Sequence, residues 1–388
     1  LQLLSRFVAR CHESGEREGS LQAATLFVDV SGFTATTESL MAHGKGGAVV
    51  LTRAIESVFA PIVAAVHAFD GEVVTFAGDA CLALFPGGAD AVRRAVAAAR
   101  ELLAALEDRA EQETPFGPVR FATRAGVGSG VVQWGRSGPD DGTQVAWFLG
   151  AAQLRATDAQ AQAPVGTFAI HREALALVRE ALVVTPLDDD VSRVDDLREP
   201  TPARTPAVWE PAPETLAAYV PAVIRERGHH REFRRAFAVF LSVRDVGSKR
   251  DVDAVLGPFL HEVDRLGGVL IHAEAADKGF VVAALWGAPV SREQDAQRAL
   301  EAVLSLRAAL GPERWARVRV GAAHRRMFTG VVGGAGRGVY TCYGLGMNLA
   351  ARLATSAPWG HIWVDPELAR EASDRFLLTA KGAHTFKG

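Results

Sequence analysis

The chain has 388 residues, 48% of them apolar and 22% charged, with a formal net charge of −3 at pH 7. That composition is ordinary for globular protein, the length exceeds what one hydrophobic core usually serves, and the charge balance gives no bias toward nucleic acid. Three cysteines, Cys11, Cys81 and Cys342, are too far apart for a disulfide framework or a zinc cluster, which fits a reducing cytoplasm.

The opening, LQLLSRFVARCHESGEREGS, carries no signal-peptide core and is read as a leader over 1 to 20. In chain order there follow an apolar strand (25 to 30), the turn Ser31-Gly32-Phe33-Thr34, and a helix (45 to 69) ending at Asp70-Gly71. A hairpin (72 to 85) comes next, then an alanine-rich amphipathic helix (89 to 108), strands at 119 to 127 and 145 to 149, a helix, and a short strand at 167 to 170. The proline- and acid-rich stretch from 186 to 232, with REPTPARTPAVWEPAPETL, reads as a surface linker. RERGHHREFRR (225 to 235) reads as a solvated connector.

The pattern then restarts with a strand (237 to 243), a helix (251 to 265) ending at Gly267-Gly268, a hairpin (269 to 286) and a helix (293 to 309). Strands at 316 to 323 and 339 to 343, a helix, and a strand at 361 to 364 complete it. Laid over itself, the chain repeats once: ATLFVDV (24 to 30) on AFAVFLSV (236 to 243), RAGVGSG (124 to 130) on RVGAAHR (319 to 325), and LGAAQLRATDAQAQAPVGTFAI (149 to 170) on YGLGMNLAARLATSAPWGHIWV (343 to 364). Strands alternating with helices predict two α/β domains, helices packed on a sheet, over 21 to 185 and 233 to 388. No run of about 18 apolar residues reads as a membrane span. The ending TFKG (385 to 388), without a polar tail, suggests that the chain is joined to something beyond Gly388.

The chemistry is divided between the copies. Asp29 interrupts the apolar strand FVDV just before Ser31, Gly32, Phe33 and Thr34, a turn whose backbone amides can point at an anion. Asp79 stands at the tip of the hairpin, whose first strand is expected beside the strand of Asp29. Two carboxylates at adjoining strand ends can hold divalent ions against a triphosphate. The second copy supplies Thr341, Asn348 and Arg352, the last two four residues apart on one helical face. Gly126-Val127-Gly128-Ser129-Gly130 lacks the order of a dinucleotide fingerprint, and the seven tryptophans form no stacking array.

FVDVSGFT (27 to 34), FAGDACLALF (76 to 85), RAGVGSG, DKGFVVAALWGAP (277 to 289) and YGLGMNLAARLA (343 to 354) together resemble the class III nucleotidyl cyclases, and among them the tandem soluble adenylyl cyclases. The resemblance covers about 21 to 388. It implies a ferredoxin-like α+β sandwich in each copy, the two forming a pseudo-twofold heterodimer within one chain. It further implies conversion of ATP to 3',5'-cyclic AMP and pyrophosphate with two divalent ions, Mg2+, Mn2+ or Ca2+. By resemblance, Asp29, Asp79 and the backbone of Val30 bind metal, Ser31 to Thr34 and Arg124 bind phosphates, and Thr341 reads adenine. Asn348 orients the ribose, and Arg352 offsets charge on the α-phosphate.

His272 stands where a base-reading lysine aligns, and Thr75 where the first copy would carry one; Lys278 is close in sequence but belongs to the DKG turn. The second site is degenerate, with Ser242, Leu154 and Asp158 in place of aspartate, asparagine and arginine, and is left as an effector pocket or a packed remnant. Thr75 and Thr157 occupy the places of the lysine and arginine of bicarbonate-responsive relatives, so strong bicarbonate activation is not expected; Arg155 is an offset substitute. The other function kept open is a weakly active nucleotide-sensing module of a larger signalling protein.

Overall fold

The structure is a computed structural model that describes residues 2–139, 142–204, 209–276 and 279–385. Lys278, part of the proline-rich linker and the last residues of TFKG lie outside them. The first half runs α1 (Arg6–Glu13), β1 (Glu18–Ser31), α2 (Phe33–Met41), α3 (Gly44–Ala68), β2 (Glu72–Ala77), β3 (Ala80–Pro86), α4 (Ala89–Glu107), β4 (Glu111–Gln112) and β5 (Val119–Arg120). It continues through β6 (Ala122–Ser137), β7 (Val145–Gly150), α5 (Ala151–Gln162), β8 (Phe168–His171), α6 (Arg172–Val178), β9 (Leu182–Pro186) and β10 (Val191–Leu197). Two short helices, α7 (Pro213–Tyr219) and α8 (Ala222–Arg227), lead across. The second half has β11 (Glu232–Val243), α9 (Lys249–Arg265), β12 (Val269–Ala276), β13 (Gly279–Trp286), α10 (Asp295–Trp315) and β14 (Val318–Gly334). It ends with β15 (Arg337–Tyr343), α11 (Leu345–Ser356), β16 (Ile362–Val364) and α12 (Pro366–Ala372).

The sheets share one plan. In the first the order is β2-β3-β1-β6-β8, with β7 on β6; in the second it is β12-β13-β11-β14, with β15 and β16 on β14. Both edge strands carry a bulge, between Val73 and Thr75 and between Leu270 and His272, so Thr75 and His272 hold the same place in the two frames.

Three expectations about the elements are corrected. The hairpin strand beside β1 is the second one, β3, because its ACLALF run is buried on both faces and takes the interior place while β2 takes the edge. Residues 186 to 197, expected as linker, belong to the first sheet, where β10 pairs with β8 and β9. The turn at 31 to 34 winds directly into α2, a helix missed because its threonines are weak helix formers.

The halves complete each other's cores. Phe328, Val332 and Tyr343 of the second half join the apolar cluster around α3, while Trp147 and Leu149 of the first join the cluster around α9. By length and composition α3 could cross a bilayer, but its apolar face, from Leu51 through Phe59 to Val66, is buried in this core. Arg337 crosses the seam to donate from Nε to the Val73 carbonyl at 3.1 Å and lies 5.6 Å from the Phe76 ring centre. Burial pulls its pKa down to about 10 against the opposing pull of Glu72. Arg231, expected in a solvated connector, instead donates to Glu56 of α3 and to the Val331 carbonyl. The leader also docks: the Phe7 amide donates to Glu72 at 2.7 Å, and the Gly338 amide donates to the Gln2 carbonyl at 2.7 Å.

At Gly334 the seam brings backbone close to backbone. A Cβ there would lie 2.9 Å from the Ala60 Cα and 3.1 Å from the Val63 Cβ. Gly334→Val is therefore expected to lower unfolding free energy by about 1–3 kcal/mol, the usual cost of overpacking. Gly257→Ala in α9, with open space at its Cβ, is expected to be neutral or stabilising by up to about 1 kcal/mol. Chemical denaturation of both variants checks this, and equal effects would mean that the seam is not closely packed.

Candidate active site

β1 delivers Asp29 to its C-terminal end, opposite Ala80 of β3 and Arg124 of β6. The amide of Val30 donates to the Asp79 carbonyl at 3.1 Å, which ties the hairpin tip to β1 and brings the second carboxylate beside the first. Burial raises the pKa of both acids; for Asp79 the negative charge of Asp29 adds to it, and the value reaches about 6. Arg124 opposes the shift at Asp29, with a guanidinium nitrogen 3.7 Å from its carboxylate. The side chain of Val30 is fully buried, leaving its backbone as the only group it can offer.

Among the described residues no group of three or more His, Cys, Asp or Glu forms a ready-made metal cage. The donor set fits divalent ions in another way. Two partly desolvated carboxylates repel each other, and a cation completed by phosphate oxygens and water relieves that repulsion.

Gly32 caps α2 at φ +108°, and a Cβ there would fall 2.2 Å from the Arg120 carbonyl oxygen, so only glycine fits the turn. Ser31 donates its hydroxyl to the Ala122 carbonyl at 3.2 Å. Phe33 does not offer its ring to a ligand. It is 1% exposed and packs on Phe59, Phe121 and Tyr343, anchoring the turn from below. Thr34 faces the seam, where its hydroxyl accepts from the Asn348 amide at 2.7 Å.

That bond joins the two sets of residues. Asn348 and Arg352 lie one turn apart on α11, and the Leu345 amide at its start donates to Glu38 of α2 at 3.0 Å. Tyr343, just before α11, donates its hydroxyl to the Gly78 carbonyl at 3.0 Å, next to Asp79. Burial, and then the charge of Asp79, push its pKa well above the usual tyrosine value, so it stays a donor. Thr341, nearly buried, precedes it by two on β15 and shares its face.

His272 is held on both sides, with Nδ1 3.1 Å from the Phe76 carbonyl and Nε2 3.1 Å from the Glu274 carboxylate. Burial works against its charge, but Glu274 and the Phe76 carbonyl outweigh it and raise the pKa. Two acceptors favour a ring that carries both protons, at the position where a lysine was expected. Glu274 and Tyr343 were not singled out in the sequence. Glu274 sits two residues from His272 on one strand face, a spacing that could have flagged it; Tyr343 acts across the seam, which no local pattern reveals.

No family model matches the chain, and no curated protein matches it in sequence. Solved structures do. A class III adenylyl cyclase-like ATP-binding protein from Pseudomonas aeruginosa superposes with a TM-score of 0.60 at 11% identity, over 91% of this chain and 85% of that one. The adenylyl cyclase CyaB from P. aeruginosa gives a TM-score of 0.39 at 17% identity, over 47% of this chain and 98% of that one. The guanylate cyclase domain of RhGC from Catenaria anguillulae, solved with GTP, gives 0.31 at 17% identity, over 38% and 86%. The first of these, matched across both halves, shows that the chain has the class III cyclase fold.

The Thr34–Asn348 bond should register as coupling across the seam. In a cycle of Thr34→Val, Asn348→Ala and the double variant, the single losses in unfolding free energy are expected to exceed additivity by about 1 kcal/mol. Additive losses from urea titrations would mean that the bond does not form in solution.

Proposed function

We propose that the chain is an adenylyl cyclase with one active site, built at the seam, that converts ATP to 3',5'-cyclic AMP and pyrophosphate. The observation that carries the reading is the Thr34–Asn348 hydrogen bond, which sets the helix of Asn348 and Arg352 against the turn that follows Asp29. Residues of complementary chemistry, divided between distant parts of the sequence, thereby meet at one part of the seam.

In this reading Asp29, Asp79 and the backbone of Val30 hold two divalent ions, which when bound offset triphosphate charge and favour ionisation of the ribose 3'-hydroxyl. The amides at the start of α2 and Arg124 receive the phosphates, for which Arg124 exchanges its contact with Asp29. Asn348 orients the ribose, and Arg352 offsets charge developing at the α-phosphate during attack. Thr341 and His272 meet the base. Reading an adenine ring nitrogen requires His272 to release Phe76 or Glu274, so the pair of anchors tunes how strictly ATP is preferred. The three unpaired cysteines suit a cytoplasmic setting.

A second reading, a nucleotide-sensing module with little turnover, draws support from two points. His272 already has both nitrogens engaged, and the structure matched over most of the chain is that of an ATP-binding, cyclase-like protein.

One assay separates them: the chain with ATP or GTP and Mg2+ or Mn2+, with cyclic nucleotide measured by mass spectrometry. Asp29→Asn or Asp79→Asn is expected to lower cyclic AMP formation by two orders of magnitude or more. Folding should survive, since Ser242 fills the place of Asp29 in the other half. Undiminished turnover in either variant would refute the metal assignment, and ATP binding without product would favour the sensing module.

A further inference from the structure

The second half repeats the frame of the first site and inverts its charge. Ser242 faces Val281 and Arg319 as Asp29 faces Ala80 and Arg124, and Phe280 therefore takes the place of Asp79. At the next positions outward, Arg244 replaces Ser31 and Arg317 replaces Ala122. Asp245, at φ +58°, keeps the left-handed turn that Gly32 makes in the first half. In the loops after α5 and α11, Gly166 and Gly360 have matching φ angles, and the residue before each is Val165 or Trp359.

These exchanges make one cluster. The guanidinium carbons of Arg319 and Arg244 lie 4.4 Å and 4.9 Å from the Trp359 ring centre. Arg319 Nε is 3.4 Å from the Ser242 hydroxyl, and its guanidinium also donates to the Thr355 carbonyl. Asp245 meets Arg244 and Arg317 only at long range, 3.8 Å and 3.9 Å. Asp251, also near Arg317, is occupied by Ser248 and the Gly247 amide. Arg244 and Arg317 remain about half exposed, 46% and 51%, and can be reached from solvent.

We propose that this cluster is a metal-independent binding site for a phosphate chain, either free pyrophosphate or the polyphosphate of a nucleotide. The two carboxylates that need cations before they can receive phosphate are replaced by Ser242 and Phe280, and guanidinium groups, which match phosphate oxygens in planar pairs, are added beside them at 244 and 317. Trp359 holds two of the arginines in place before a ligand arrives, which reduces the ordering cost of binding. Leu154 and Asp158 stand where Asn348 and Arg352 would, so the site retains its ligand without turning it over. This is the strand-end side of the second site, apart from Thr75 and Thr157, and the inference does not depend on turnover at the first.

Calorimetric titration of the whole chain in excess EDTA, separately with inorganic pyrophosphate and with ATP, tests it. Saturable binding is expected without metal, weakened roughly tenfold or more by Arg244→Ala with Arg317→Ala, and unchanged by Arg124→Ala. Binding of pyrophosphate assigns the bare phosphate chain; binding of ATP alone assigns a nucleotide-borne one. Paired Arg→Lys replacements should keep part of the affinity, and Arg244→Ala alone serves if the double variant folds poorly. No saturable binding of either ligand in EDTA, or binding that only Arg124→Ala removes, would overturn the proposal.

Discussion

The structure depends on an exchange of packing across the seam. The apolar cluster of each half is closed by side chains from the other, Phe328, Val332 and Tyr343 in one direction and Trp147 and Leu149 in the reverse. Neither cluster is complete alone, so the relative placement of the sheets is set by core packing, in which a shift of a methylene is resisted. The fine geometry of the site follows. Thr34 reaches Asn348, and Tyr343 reaches the hairpin of Asp79, because the residues beneath them are interlocked.

On that shared frame the two strand-end sites have diverged. The first half keeps acids at 29 and 79 and a glycine turn at 32; the second presents arginines at 244, 317 and 319, two of them against Trp359. The backbone paths agree down to the bulge in each edge strand and the left-handed residue after each central strand. A few side chains differ at these strand ends while the sheets agree, as expected when function resides in sites placed on a fold.

Much of this was legible in the sequence, for identifiable reasons. β1 and β11 are apolar runs, the hairpins are bounded by glycine turns, and α4 has a clear apolar stripe, so local periodicity located them. The hairpin of β9 and β10 was hidden, because only Val191 and Val194 of β10 are buried and its acids give it the look of a linker. α2 was hidden by its threonines, which turn out to be buried at Thr36 and Thr37. The carboxylates and the α11 pair could be singled out because their motifs are contiguous. Glu274, Tyr343 and the bond of Arg231 to Glu56 were not, because each acquires its meaning from a partner far away in sequence.

Both sheets sit on one chain, joined through α7 and α8, and this changes what dilution can do. A cleft shared by two separate subunits empties as their concentration falls below the dissociation constant. Here closure is intramolecular, governed by the effective concentration that the connector imposes. The seam between the sheets is therefore insensitive to dilution, however few copies of the molecule are present.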